Sequence, residues 1–170
     1  MELTDILGPK QIVPELTAKN RWEAIDELIA ILAATGKIKP TDVEAITHAV
    51  KQREYCMTTG MGYGVGCPVG STDLTDEFGI ALGRSLPGVE FDALDKRPVH
   101  IVFLHILPLR TYMKHYHMIP KLVKVLLHVP FREAIMKAPD AEAIYNSLCE
   151  GWRQVTAGLI PDSVLLNRAA

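Results

Sequence analysis

The stretch Thr59-Gly60-Met61-Gly62-Tyr63-Gly64-Val65-Gly66-Cys67-Pro68-Val69-Gly70 holds five glycines in twelve residues. Glycines that alternate with larger side chains and close on a proline predict a tight loop feeding a short strand, where backbone must approach something closely. Other residue types with chemistry lie around it: Cys56 before it, Cys67 within it, Ser71 and Thr72 just after it, and His105, His115 and His117 further on. A metal site is not expected from their spacing. His115-x-His117 would set two imidazoles on opposite sides of a helix, and neither Cys56 nor Cys67 forms a Cys-x-x-Cys unit with another thiol. A dinucleotide site is not expected either, since no helix of suitable length follows the glycines within a βαβ unit. His105 falls near the end of an apolar run, where ligands often gather in α/β sheets, yet a lone histidine there reads first as hydrogen-bonded structure. No cofactor is expected.

Composition narrows the classes. With 170 residues, 48% of them hydrophobic, the chain is long enough for one well-buried core and too short for two comfortable domains. The formal charge of −2 and the lack of any Lys/Arg cluster interleaved with aromatics give no footprint for nucleic acid or an anionic membrane surface. No apolar run follows a basic start, and the longest apolar segment, Val99 to Leu107, is interrupted by His100 and His105 and is too short to span a bilayer. Three cysteines without framework spacing suggest reduced thiols. These features together predict a soluble, cytoplasmic protein without membrane insertion.

The elements that must position the glycine stretch follow from periodicity. Gln11 to Leu16 suits an edge strand containing Pro14. Asn20-x-x-Glu23 has the form of a capping box, and Trp22, Ile25, Leu28, Ile29 and Leu32 recur at helical spacing, predicting a helix over Arg21 to Ala34 that stops at Gly36. Thr41-x-x-Glu44 after Pro40 predicts a second helix, with Val43, Ile46 and Val50 inward and an end near Arg53 and Glu54. Tyr63, Val65 and Cys67 alternate, as do Phe78, Ile80 and Leu82, predicting two short strands around a polar loop from Gly70 to Glu77. Val99 to Leu107 reads as a strand apolar on both faces, hence central in a sheet covered on two sides. Pro120 is tolerated only in a first helical turn, which places the start of the next helix near His117. Further helices follow from about Phe131 and about Asp140, the last with Ala143, Ile144, Leu148 and Trp152 on one stripe. The domain is expected over 1–152, with 153–170 as a C-terminal tail.

The run Arg53-Glu54, Thr59-Gly60-Met61-Gly62-Tyr63-Gly64-Val65 and Pro68 resembles the active-site region of the enzyme IIA domains of the fructose, mannitol and nitrogen-regulatory type in the bacterial sugar phosphotransferase system. Leu82-Gly83-Arg84-Ser85, Gly88-Val89-x-Phe91-Asp92-Ala93-Leu94-Asp95, Pro98-Val99, Val102-Phe103-Leu104, Pro108 and His117-Met118 match in order, from roughly Ile12 to Leu148. The resemblance implies a three-layer α/β/α sandwich with a small mixed sheet. It also implies a phosphohistidine directly after the proline of the glycine-rich strand, charged by the phosphocarrier protein. That position is Val69 here, and valine has no lone pair with which to accept a phosphoryl group. Gly66 and Cys67 stand where the family usually has alanine and an aliphatic residue.

The remaining parts of the resembled site are Arg53, whose guanidinium would hold phosphate oxygens, His117, which would bond the phosphoryl group, and Gly62 and Gly64, whose backbone would approach an anion. Arg53 and His117 have plain structural readings of about equal weight, as a helix-end residue pairing with Glu54 and as a helix-start residue without a ligand. Substitute acceptors are Cys67, two positions before Val69 on the same strand face, and Ser71 and Thr72, which show no general base and read first as turn residues. The expected function is a non-catalytic regulatory or binding module whose partner is the phosphocarrier protein or a regulated target, with a homodimer also compatible. The alternatives are a phosphoryl-transfer protein using another acceptor, and an active enzyme IIA into which Val69 has been introduced.

Overall fold

A computed structural model describes residues 2–111 and 117–161. Its order is β1 (Ile12–Val13), α1 (Arg21–Ala34), α2 (Val43–Cys56), β2 (Gly60–Gly62), β3 (Val65–Gly66), β4 (Val69–Thr72), β5 (Gly79–Val89), β6 (Val99–Pro108), α3 (Met118–Leu127), α4 (Val129–Lys137) and α5 (Ala141–Thr156), with single 3-10 turns between some of them. Every residue of β6 except His100 is buried, which matches its two-faced apolar sequence. β5 lies antiparallel along one edge of it, with Ile80 opposite His105 and Leu82 opposite Phe103. On the other edge β3 and then β4 pair with it in parallel, Val65 opposite Ile101 and Val69 opposite His105. β1 extends the sheet beyond β5 in parallel, and β2 closes it beyond β3 in antiparallel. The sheet is therefore mixed.

Period-two alternation divides the core into two layers. Ile80, Leu82, Ile101 and Phe103 face α3, α4 and α5 through Met118, Leu122, Ile135, Ile144, Leu148 and Trp152. Ala81, Val102, Leu104 and Ile106 face α1 and α2 through Ile25, Leu28, Leu32, Ile46 and Val50. This is the three-layer α/β/α sandwich. Arg84 fastens one side of it: the guanidinium, only 5% exposed, donates from Nε to the Pro14 carbonyl at 2.8 Å and from an Nη to the Ile135 carbonyl at 3.0 Å, joining the end of β1 to the end of α4.

Local signals explain most element ends. The Asn20 carboxamide accepts from Trp22 N–H at 3.0 Å and Glu23 N–H at 3.1 Å, and the Glu23 carboxylate reaches back to Lys19 N–H at 2.8 Å. Gly36, at φ +73°, ends α1 in the left-handed conformation. At α2 the outcome differs. Pro40, Thr41 and Asp42 form a 3-10 turn, Thr41 Oγ1 bonds the Asp42 carboxylate instead of capping, and the helix starts at Val43 and runs on to Cys56. The glycine stretch also departs from the expected single strand. It makes a short β2–β3 hairpin and then steps to β4, because β6 is long enough to pair with β3 and β4 end to end. Ser71 and Thr72 thus belong to β4, opposite Leu107 and Pro108, and the polar loop begins after them. At the C-terminal side the expected boundary between 152 and 153 falls inside α5, which continues to Thr156; Val155 and Ile160 remain buried in the core.

Candidate functional site

Glu54 organises the approach to the glycine stretch. It is fully buried on the last turn of α2, accepts from Thr59 N–H at 3.0 Å and from Thr59 Oγ1 at 2.6 Å, and lies 3.6 Å from an Nη of Arg21. Thr59 in turn accepts through its carbonyl from Cys67 N–H at 3.1 Å, so one buried carboxylate fixes both ends of the hairpin that precedes β4. Two glycines permit the close packing. A Cβ on Gly70 would stand 2.5 Å from Val50 Cγ2 on α2, and one on Gly60 would stand 2.8 Å from Cα and Cβ of Ala93. The expectation of backbone coming close to something is met here by the protein itself, with helix α2 seated on β4.

Val69 opens β4, half-buried against the α3–α5 layer. Its register partner is His105, and partners in adjacent strands share a face, so the isopropyl group and the imidazole are neighbours. His105 is buried, with Nδ1 3.3 Å from the Phe103 carbonyl, a contact that makes Nδ1 the protonated nitrogen. Burial pushes its pKa down to about 4, so the ring is neutral at pH 7. Cys67 is buried on the same side of the sheet, and burial, with the nearby Glu54 carboxylate adding to it, pushes its thiol up to about 12. Thr72 is buried, its Oγ1 accepting from Leu74 N–H at 3.1 Å, whereas Ser71 is exposed.

The other site residues are distributed unevenly. Arg53 projects from the last turn of α2, exposed, and donates to the Met57 carbonyl at 3.0 Å, not to Glu54, which points inward. His117 is exposed at the residue before α3, with no side-chain capping bond. Gly62 and Gly64 are not gathered at Val69. Val65 pairs with Ile101 and Val69 with His105, so four residues of β6 at roughly 3.3 Å each, about 13 Å, separate the hairpin from β4. The hairpin turn is left-handed at Gly62, Tyr63 and Gly64, with φ of +90°, +58° and +74°. A carboxylate lies beside it: Asp95 Oδ2 accepts from Tyr63 N–H at 3.0 Å and would be 3.2 Å from a Cβ on Gly62. The Tyr63 amide therefore already holds an anion of the chain's own. Sequence reasoning missed Glu54, Asp95 and the pairing of His105 with Val69; only the distance of Asp95 from the hairpin in sequence hid its role, while Glu54 was visible next to Arg53.

His115 lies outside the described residues. Among the described residues no three His, Cys, Asp or Glu side chains are grouped as a metal ion would need, and no helix is long and apolar enough to cross a membrane.

Residues 5–150 match the profile of the family described as phosphoenolpyruvate-dependent sugar phosphotransferase system, EIIA 2. A PTS system fructose-specific EIIA component of Haloferax volcanii is 29% identical over 153 residues, covering 88% of this chain and 98% of its own length. A nitrogen regulatory protein of Bradyrhizobium diazoefficiens is 30% identical over 150 residues, 87% of this chain and 95% of its own. Among solved structures, nitrogen regulatory protein IIA-Ntr of Neisseria meningitidis superposes with a TM-score of 0.75 at 26% identity, over 85% of this chain and 97% of its own. Escherichia coli enzyme IIA mannitol, solved in complex with phosphorylated enzyme IIB mannitol, gives 0.70 at 20% identity over 85% and 97%, a likeness of fold.

Proposed function

The chain belongs to the EIIA 2 family of the phosphoenolpyruvate-dependent sugar phosphotransferase system, and we propose that it works there as a non-catalytic cytoplasmic module acting through protein contacts. The observation that carries this reading is Val69, an alkyl group at the start of β4 where the family resemblance puts the phosphoryl-accepting histidine. Its neighbours supply no ready substitute. Cys67 is buried and held as a thiol, the neutral His105 is buried between β4 and β5, and the Thr72 hydroxyl is committed to Leu74 N–H.

Arg53 and His117 remain exposed at the ends of α2 and α3, the residues that would hold a phosphoryl group on a partner or a weakly bound anion. Beside Arg53, Tyr55 is 78% and Met57 66% exposed, apolar side chains of a kind that protein interfaces use. The partner is a phosphocarrier-type protein or a regulated target; the mannitol enzyme IIA solved with its phosphorylated IIB supports a protein of this kind.

The test is incubation with phosphoenolpyruvate, enzyme I and phosphocarrier protein, followed by intact mass. The native chain should gain nothing. A stable gain of one phosphoryl group would favour an acceptor elsewhere, with Ser71, exposed on the same strand face as Val69, and His117 as the first positions to map. Val69→His in the same assay should gain one group if Arg53 and His117 still form a phosphoryl site.

A further inference from the structure

At the opposite end of β6 from Val69 lies a cleft of about 830 Å³, within the size range of small-molecule sites. Its walls are the left-handed hairpin turn carrying Tyr63, the loop of Asp95 and Arg97, His100 at the start of β6, and Arg132 from α4. Arg97, Arg132 and the carboxylate-bearing Asp95 all line it. Both oxygens of that carboxylate are committed to backbone, Oδ2 to Tyr63 N–H at 3.0 Å and Oδ1 to Arg97 N–H at 3.1 Å. Arg132 is half-buried, gives one Nη to the Leu127 carbonyl at 2.9 Å, and sits 6.0 Å from the centroid of the Tyr63 ring. Among the described residues no carboxylate lies within ion-pair reach of it. Burial lowers its pKa, with the neighbouring Glu133 carboxylate opposing the shift. His100 donates from Nδ1 to the Ser85 carbonyl at 3.0 Å, which fixes the orientation of its ring.

We propose that this cleft binds a small phosphate monoester carrying a ring, with the phosphate between Arg97 and Arg132 and the ring against Tyr63. A dianion matches two guanidinium forks better than a single carboxylate would, and a flat aromatic face suits a sugar or a base. The ester chemistry is shared by sugar phosphates and nucleoside monophosphates, which the experiment separates. The site does not rest on the reading of Val69.

The full chain is titrated calorimetrically with glucose 6-phosphate, with adenosine monophosphate and with inorganic phosphate. At least one ester should bind ten-fold or more tighter than inorganic phosphate, and which one does so names the source. Arg132→Gln and, separately, the exposed Arg97→Gln should each weaken that ester at least ten-fold. Tyr63→Gly, which suits the left-handed backbone, should reduce the ester to the affinity of inorganic phosphate. Val69→His should leave binding unaltered. Should Arg132→Gln fail to fold, Arg97→Gln and Tyr63→Gly still decide. Absence of binding by both esters, equal binding of esters and inorganic phosphate, or binding unchanged in Arg97→Gln overturns the proposal.

Discussion

His105 faces Val69 across β4 and β6, and its burial gives the domain a pH dependence. The folded pKa is depressed from 6.5 to about 4, so the unfolded chain takes up a proton in an interval where the folded one does not. Stability from this group is complete above pH 6.5, falls as pH drops toward about 4, and is flat below that; the loss is about 3 kcal/mol. Urea unfolding at pH 7 and pH 4.5 should show most of it, and His105→Leu should flatten the difference between the two. A slope unchanged in the variant would assign it to other groups. The same burial governs thiol chemistry. With Cys67 pushed up to about 12, only about one part in ten thousand is thiolate at pH 8, whereas Cys56 is exposed. A thiol reagent at pH 8 should therefore label Cys56 first and reach Cys67 only in denaturant, as peptide mapping would reveal. The residue types at these positions were legible in the sequence. Their environments were not, because Cys67 is silenced by a core and a carboxylate that the fold assembles from elsewhere.

Helix α2 and strand β4 meet at Gly70, where a missing side chain decides the geometry. A methyl on Gly70 would meet Val50 Cγ2 at 2.5 Å, so Gly70→Ala should cost about 2 kcal/mol by forcing the helix off the strand. Val50→Ala alone leaves a void and should cost about 2 kcal/mol as well. Together the two should cost at least about 1 kcal/mol less than their sum, since the new methyl fills the space the valine left. A double-mutant cycle by urea denaturation checks this, and simple additivity would mean that β4 and α2 do not touch there. Glu54→Ala removes the other fixture and should cost about 3 kcal/mol, because it leaves two Thr59 donors without their acceptor and takes from Arg21 one of its two neighbouring carboxylates, Asp92 remaining. The helices α1 and α3 and the strand β6 could be read from spacing and caps within their own sequence. The β2–β3–β4 path could not, since its register is set by β6, 36 residues downstream, and Thr41 does not cap because Pro40 favours a 3-10 turn before α2.

At the scale of the molecule, two-faced burial of one strand was enough to predict helices on both sides of a sheet, and the layers follow it. The end of the last layer was not predictable in the same way. The apolar stripe of α5 weakens after Trp152, which suggests a tail, yet Val155 and Ile160 are buried in the layer that also holds Leu3, Ile6 and Leu7 from the first turn of the chain. The last turn of α5 and the residues after it thus close the N-terminal segment over the α3–α5 layer. A chain ending after Trp152 loses two buried aliphatic side chains, each worth about 1.5–3 kcal/mol of transfer free energy, offset in part by the ordering of fewer residues. Relative to a chain ending after Pro161 it should be destabilised by about 3 kcal/mol and melt about 6–12 °C lower. Ile160→Ala in the full chain should carry about 2 kcal/mol of that loss. Equal melting of the two truncated chains would make the segment beyond Trp152 an appendage after all, and a large loss from Ile160→Ala would show that the sandwich is closed by residues contributed from both ends of the sequence.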